Sequence, residues 1–300
     1  MTKKQKPIPW ENTITNIQSK VLEKLASYKF LTLSQILHLK VGTTQYKYLH
    51  KQVSSLRDRR YPLVKCNSYS ILQSNKGDSK KGGKVEDVYY LSKAGKRALL
   101  NDLHHPTDKE IKIPIGNNRT SKDYLHRKWT IDFQIHLNLW AKENSFNISF
   151  FDCYFDKIGN NRVAKNLRAK TKIDLGQDDY FIPDGVFEIQ TPSRKHFFLF
   201  EMYNGQDTSR TIYQLHKHCI ALTKKNTHQK YDLDKSKAYT TVFIFRHKSL
   251  QQSFIKRVVE QKEVFAPIQN YFICKSLEDL EENIFFENWT TIFGRKKNLF

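Results

Sequence analysis

From residue 14 onward apolar side chains recur at helical spacing: Ile14, Ile17, Val21, Leu22 and Leu25 share one face and predict an amphipathic helix that ends near Lys29. Thr32-Leu33-Ser34-Gln35 reads as a capping box, the Thr hydroxyl and Gln amide satisfying backbone donors, with Ile36 and Leu39 as the second helix's apolar face. Past a break at Gly42, Thr43 or Thr44 is the expected cap of a third helix. Its Leu49, Val53 and Leu56 point inward, and Gln45, Lys47, His50, Lys51 and Ser54 point outward. The period then changes. "PLVKCNSYSILQ" and "KVEDVYYLS" predict two strands around the basic loop "SNKGDSKKGGK", and a short helix opens at "SKAGKRALL". Residues 104–120, with prolines, Gly116 and paired Asn but no sustained apolar period, predict a linker. From Ser121 to Glu143 a long helix is expected with Leu125, Trp129, Phe133 and Trp140 inward and Asp132 and His136 beside them, most simply as a core polar contact. An aromatic strand "ISFFDCYFD", a polar basic segment from Lys157 to Asp179 and a hairpin over "FIPDGVFEIQTPSRKHFFLFEMY" follow. "NGQDTSRTIYQLHKHCIALTKK" predicts a turn into a helix, then come a strand "YTTVFIFRH", a helix over roughly 250–263 and a strand "NYFICKS". Antiparallel strands followed by strand–helix–strand–helix predict an α/β sheet with helices on both faces.

With 300 residues, 39% of them apolar, the chain can bury a full core and is expected to form two domains. The charge changes the picture more. There are 51 Lys and Arg against 30 Asp and Glu, a net of +21, which favours a polyanionic partner through counterion release. Residues 1–100 carry 20 basic and 6 acidic side chains, so the N-terminal third is the electrostatic footprint. No apolar run approaches the roughly 20 residues of a membrane span, and "MTKKQKPIPW" leads into no apolar stretch. A cytoplasmic protein without membrane contact is therefore expected. Cys66, Cys153, Cys219 and Cys274 lie far apart and read as buried thiols. There is no Walker-type loop, no G-x-S-x-G and no internal repeat.

Three helices and a hairpin compose a winged helix-turn-helix, and "DVYYLSKAGKRALL" resembles the ending of winged-helix domains, where the second wing strand runs into a closing helix. The expected layout is a DNA-binding domain over 1–103, the linker, and a second domain over 121–300. In that arrangement the third helix enters the major groove and the wing follows the phosphates. Gln45, Lys47, Lys51 and Arg57 of the helix, and Lys76, Lys80, Lys81 and Lys84 of the wing, are the candidate DNA contacts. The plain alternatives are a solvated charged face and a protein-interaction module.

The second domain's order of elements resembles the restriction-endonuclease-like, or PD-(D/E)xK, nucleases: an α/β domain with a central mixed sheet. Asp184 of "IPDG" and Glu201 of "FEMY", with 16 residues between them, fit the two acidic positions of the hairpin. Acids on adjacent strands can share a hard divalent ion, which stabilises charge on an attacked phosphate and activates the nucleophile. Where the motif has lysine this chain has Tyr203. Lys217 or His216 on the following helix is a substitute; Tyr203 is itself a candidate nucleophile, leaving a protein–DNA ester. A fold that only binds is the third option, and a strand tyrosine is most often packing. His216-Lys217-His218 is similar to the His-hydrophobic-His metal motif, but its centre is Lys and i, i+2 point apart on a helix.

Over roughly residues 12–295 the chain resembles the replication-relaxation family of plasmids and mobile elements, which includes relaxases of C-class mobilisation systems. "VYYLSKAG", "YLHRKWTIDFQIHL" with His126, "IPDGVFEI", "FLFEMYNG" and "FENWTTIF" carry the likeness. It implies an acid on the strand before Pro-Asp, here Asp152, and a metal set of Asp152, Asp184 and Glu201 for Mg²⁺ or Mn²⁺. It also implies double-stranded DNA as partner, recognised at a specific site and nicked or relaxed, with replication or mobilisation proteins and a second copy of the chain as further candidate partners. Family members often have Glu-x-Asp where this chain has Glu-x-Tyr. The alternative is a non-catalytic replication accessory or transcriptional regulator with a degenerate nuclease fold.

Overall fold

The computed structural model describes residues 14–72, 82–101, 103, 111–114, 123–159, 167–205, 207–281 and 287–299. The chain divides into two units, Met1–Tyr124 and Leu125–Phe300, a boundary just past the expected linker. Lys76, Lys80 and Lys81 lie outside the described residues.

In the first unit α1 (Asn16–Tyr28) opens on a capping box of its own, Gln18 N–H donating to Thr15 Oγ1 at 3.3 Å and Thr15 N–H to Gln18 Oε1 at 3.1 Å. Val21, Leu22 and Leu25 are fully buried. Lys29, at φ 70°, turns the chain into β1 (Leu31–Thr32), and the Thr32–Gln35 box starts α2 (Leu33–His38) with bonds of 2.9 and 3.3 Å. A left-handed Gly42 precedes α3 (Tyr46–Arg57), which buries Leu49, Val53 and Leu56 as its periodicity requires. Its N-cap is Gln45 rather than Thr43 or Thr44. The Thr43 hydroxyl accepts the Gln45 N–H at 3.1 Å, a local turn that occupies the side chain before the helix begins.

The two expected strands are β2 (Val64–Asn67), β3 (Ser70–Leu72), β4 (Gly82–Lys84) and β5 (Val88–Leu91), with β2 pairing β5 and β3 pairing β4, both antiparallel. β1 takes the other edge of β5. α4 (Lys93–Asn101) approaches β2 so closely that a Cβ on Gly95 would lie 2.1 Å from the Leu63 carbonyl oxygen. Within the expected linker Ile111 is buried, and Lys112 N–H donates to the Ala26 carbonyl at 2.8 Å, so this piece packs on the first unit.

The second unit is mixed α/β. After α5 (Tyr124–Glu143) come β6 (Asn147–Cys153), β7 (Lys157–Ile158), β8 (Arg168–Ala169), β9 (Ile173–Gly176), β10 (Asp179–Phe181), β11 (Gly185–Gln190) and β12 (Lys195–Tyr203). Then follow α6 (Thr208–Thr223), α7 (Asn226–Tyr231), β13 (Thr240–Phe245), α8 (Lys248–Glu260), α9 (Lys262–Phe265), β14 (Phe272–Ser276), α10 (Leu277–Glu281), β15 (Trp289–Thr291) and β16 (Lys296–Lys297). Seven strands form one sheet in the order β16-β15-β14-β13-β12-β11-β6. β12, β13 and β14 run parallel and the flanking pairs antiparallel. The polar segment before the Pro-Asp hairpin contains two small hairpins, β7–β8 and β9–β10, whose strands are too short to leave an alternating pattern.

Side-chain alternation sorts the sheet's two faces. Phe151, Phe187 and Phe200 meet Phe133 of α5, the Phe133 and Phe200 rings stacked at 4.3 Å. On the other face Val186, Leu199, Phe243, Phe245 and Cys274 form a core with Ile212 and Leu215 of α6 and Phe254 and Val258 of α8. The buried face of α5 is broader than expected, covering Ile131, Phe133, Ile135, Leu137 and Trp140, whereas Leu125 and Trp129 are half-buried. The Arg246 guanidinium covers the Trp129 ring at 4.6 Å. All four cysteines are outside disulfides; Cys153 and Cys274 are buried and Cys66 and Cys219 half-buried. No helix among the described residues is long and apolar enough to cross a membrane.

Candidate carboxylate site

The hairpin register decides where the two acids fall. Gly185 pairs with Phe200, so Asp184, one residue before β11, stands beside Glu201 of β12. Three bonds fix the Asp184 segment: Tyr154 N–H donates to its carbonyl at 3.0 Å, Met202 N–H donates to Oδ2 at 2.8 Å, and the Thr171 hydroxyl donates to the Pro183 carbonyl at 2.7 Å. Two histidines complete the arrangement. His126 Nε2 of α5 lies 2.8 Å from Asp184 Oδ1, and His218 Nε2 of α6 lies 2.7 Å from Glu201 Oε1. The line His126–Asp184–Glu201–His218 thus runs from a partly exposed imidazole, 23% accessible, to a fully buried one.

Burial first, then the adjoining Asp184 charge and its hydrogen bond, hold Glu201 well above the usual carboxylate range. The pair is therefore built to keep a proton between its carboxyls. Arg210 of α6 is the cation whose charge eases Glu201 back down. Burial pushes His218 down to about 3, so its ring is neutral at physiological pH. His218 Nδ1 is buried without a partner among the described residues. A bare ring nitrogen tolerates that better than an N–H, which places the proton on Nε2, donating to Glu201.

Tyr203 sits on the same strand with its ring stacked on Phe243 at 5.7 Å and Phe245 at 5.3 Å. Its hydroxyl is buried without a partner among the described residues, and burial, then Glu201 and Asp184, push the phenol well above its ordinary value. Lys217 turns away from the carboxylates: its ammonium pairs with Asp179 of β10 and lies 5.1 Å over the Tyr213 ring. His216 packs against Phe265. Asp152 of β6 stands opposite Val186, and its carboxylate is held by Lys170 at 2.8 Å. Beside the stripe of α5, Asp132 accepts from Lys128 at 2.8 Å.

Among the described residues no three His, Cys, Asp or Glu side chains converge as a metal cage. The donor chemistry of the pair nonetheless suits a hard divalent ion, since Mg²⁺ takes one or two protein carboxylates and keeps its waters. Neither acid has a Lys or Arg salt bridge among the described residues; their ion-pair partners are the two histidines.

On α3, Gln45, Lys47 and Lys51 are exposed, while Arg57 pairs with Asp58 at 2.8 Å and Lys84 stands 3.8 Å from Asp87. Tyr46 and Tyr48, 44% and 42% exposed, interleave with these lysines. The alternation "QYKYLHK" was the signal for them. His218 also had a signal, because it continues the apolar stripe of Ile212, Leu215 and Leu222 along α6.

These features define a mixed α/β protein with a seven-stranded mixed sheet and a buried carboxylate pair flanked by histidines. The chain matches no family model, no curated protein and no solved structure.

Proposed function

We propose that the chain binds duplex DNA through its first unit, read as a winged helix, and cleaves a phosphodiester at the carboxylate pair of its second, read as a restriction-endonuclease-like domain. The observation that carries the reading is the contact of Asp184 with Glu201 across two neighbouring strands, with His126 at the accessible end. Asp184 and Glu201 would hold Mg²⁺ or Mn²⁺, which when bound supplies Lewis acidity toward a phosphate. Met202 N–H and His126 orient Asp184, and His218 orients Glu201. The exposed Lys47, Lys51 and Gln45 of α3, on the strongly basic N-terminal third, support DNA as the partner.

One observation favours a second reading, a non-catalytic DNA-binding accessory or regulator. The position of the motif lysine holds a half-buried tyrosine whose hydroxyl is shielded from solvent, and Lys217 is committed to Asp179. Incubating the protein with supercoiled plasmid, with Mg²⁺ or Mn²⁺ or with chelator, separates the two. Open-circle product that requires metal and disappears in Asp184→Ala supports cleavage; intact supercoils with retained, salt-sensitive binding support the binding protein.

A further inference from the structure

We propose that the cavity between β8, β9 and α7 is a binding site for a nucleotide unit, whose phosphate is held by Arg168 and Lys230 and whose sugar or base donates to Asn226. The cavity encloses about 410 Å³, within the range of small-ligand sites. Its wall brings together Arg168, Lys172, Asp174, Lys230, Asn226 and Ile158.

The charges in it do not cancel. Lys172 is neutralised by Asp174 at 2.8 Å and rests 4.2 Å over the Tyr180 ring. Arg168 and Lys230 have no carboxylate in salt-bridge reach among the described residues. The Lys230 ammonium donates to the carbonyls of Lys170, at 2.6 Å, and Lys172. Burial, then the charge of Arg168, pushes Lys230 down to about 8. Two solvent-exposed cations thus line one cavity wall close enough for each to raise the energy of the other's charge, the condition that an anion with several acceptor oxygens relieves.

A bare anion would leave one group unanswered. Asn226 Oδ1 is buried at the cavity without a partner among the described residues, an acceptor that needs a donor from whatever fills the space. Phosphate esters of nucleosides carry both features, acceptor oxygens at one end and hydroxyl or ring N–H donors at the other, and Ile158, 39% exposed, offers the sugar or base an apolar contact. The ligand is therefore a nucleotide, either free or within a nucleic-acid strand. This inference does not require the carboxylate pair to be catalytic.

The test titrates the full chain with thymidine monophosphate, inorganic phosphate and a thymidine tetranucleotide by calorimetry, using wild type, Arg168→Glu, Asn226→Leu and Asp184→Ala, each checked for folding by circular dichroism. The mononucleotide is expected to bind wild type and Asp184→Ala alike, more tightly than inorganic phosphate. Arg168→Glu should weaken both by at least about tenfold, since it reverses the charge that meets the phosphate. Asn226→Leu should weaken the nucleotide and spare inorganic phosphate. A tetranucleotide that binds more tightly than the mononucleotide identifies a strand as the source; the reverse order identifies a free nucleotide. Wild type that prefers inorganic phosphate, or a folded Arg168→Glu with unchanged nucleotide affinity, overturns the proposal.

Discussion

Glu201 and His218 titrate in opposite senses, and that makes the site visible in stability. His218's folded value, about 3, lies below its ordinary 6.5, so the unfolded chain takes up the proton first. This contribution is present above pH 6.5 and is lost as pH falls toward 3, at about 1.4 kcal/mol for each pH unit. Glu201 is raised, so its contribution is complete below the ordinary carboxylate value and is lost as pH rises through the folded one. Urea unfolding at pH 7 and pH 4 should therefore show a smaller acid-side loss in His218→Gln than in wild type. Removing the neighbouring charge is a second probe. Asp184→Asn should lower the Glu201 titration toward the ordinary range, followed by carboxyl ¹³C NMR. Tyr203→Phe deletes an unpaired buried hydroxyl, a group whose burial costs about 1–3 kcal/mol, so the unfolding temperature should hold or rise. If plasmid is nicked at all, Tyr203→Phe should still nick it; loss of nicking and of a DNA adduct would identify Tyr203 as the nucleophile. In the sequence the divergence of His216 and His218 was legible, and the apolar stripe of Ile212, Leu215 and Leu222 marks His218 as the one on the inward face; that it meets Glu201 there was not legible.

At the scale of elements, the site depends on how tightly β6, β11 and β12 approach. A Cβ on Gly185 would lie 3.1 Å from the rings of both Phe151 and Phe200, so Gly185→Ala requires those packed rings to give by a few tenths of an ångström. It is expected to destabilise the second unit by about 1–3 kcal/mol and to displace Asp184, measured by unfolding and by the Glu201 titration. The hairpin, the helices and the Thr32 box were legible because each is specified within a few residues. The cap of α3 was misplaced because Thr43 makes a competing local turn. The inward stripe of α5 was drawn too narrow, since a helix laid across an aromatic sheet buries more than one row of side chains.

Across the whole molecule, charge outweighs every other property that bears on a partner. With +21 overall and most of it in the first third, the proposed association with DNA is expected to weaken steeply with salt. Replacing exposed Lys47 and Lys51 by Ala should reduce the log–log salt slope by about 1.8 while leaving the Glu201 titration untouched, measured by fluorescence anisotropy from low to physiological salt.

By itself the sequence determined the longer helices and strands, the hairpin that carries Asp184 and Glu201, and the basic first third, because periodicity, turn residues and charge are local or additive properties. The tertiary structure alone decided the partners of the acids. His126 and Asp184 are 58 positions apart, His218 and Glu201 are 17, and Lys217 meets Asp179 across 38. Local spacing marks the inward face of a helix, but which residue on a distant strand that face meets depends on how the elements pack together.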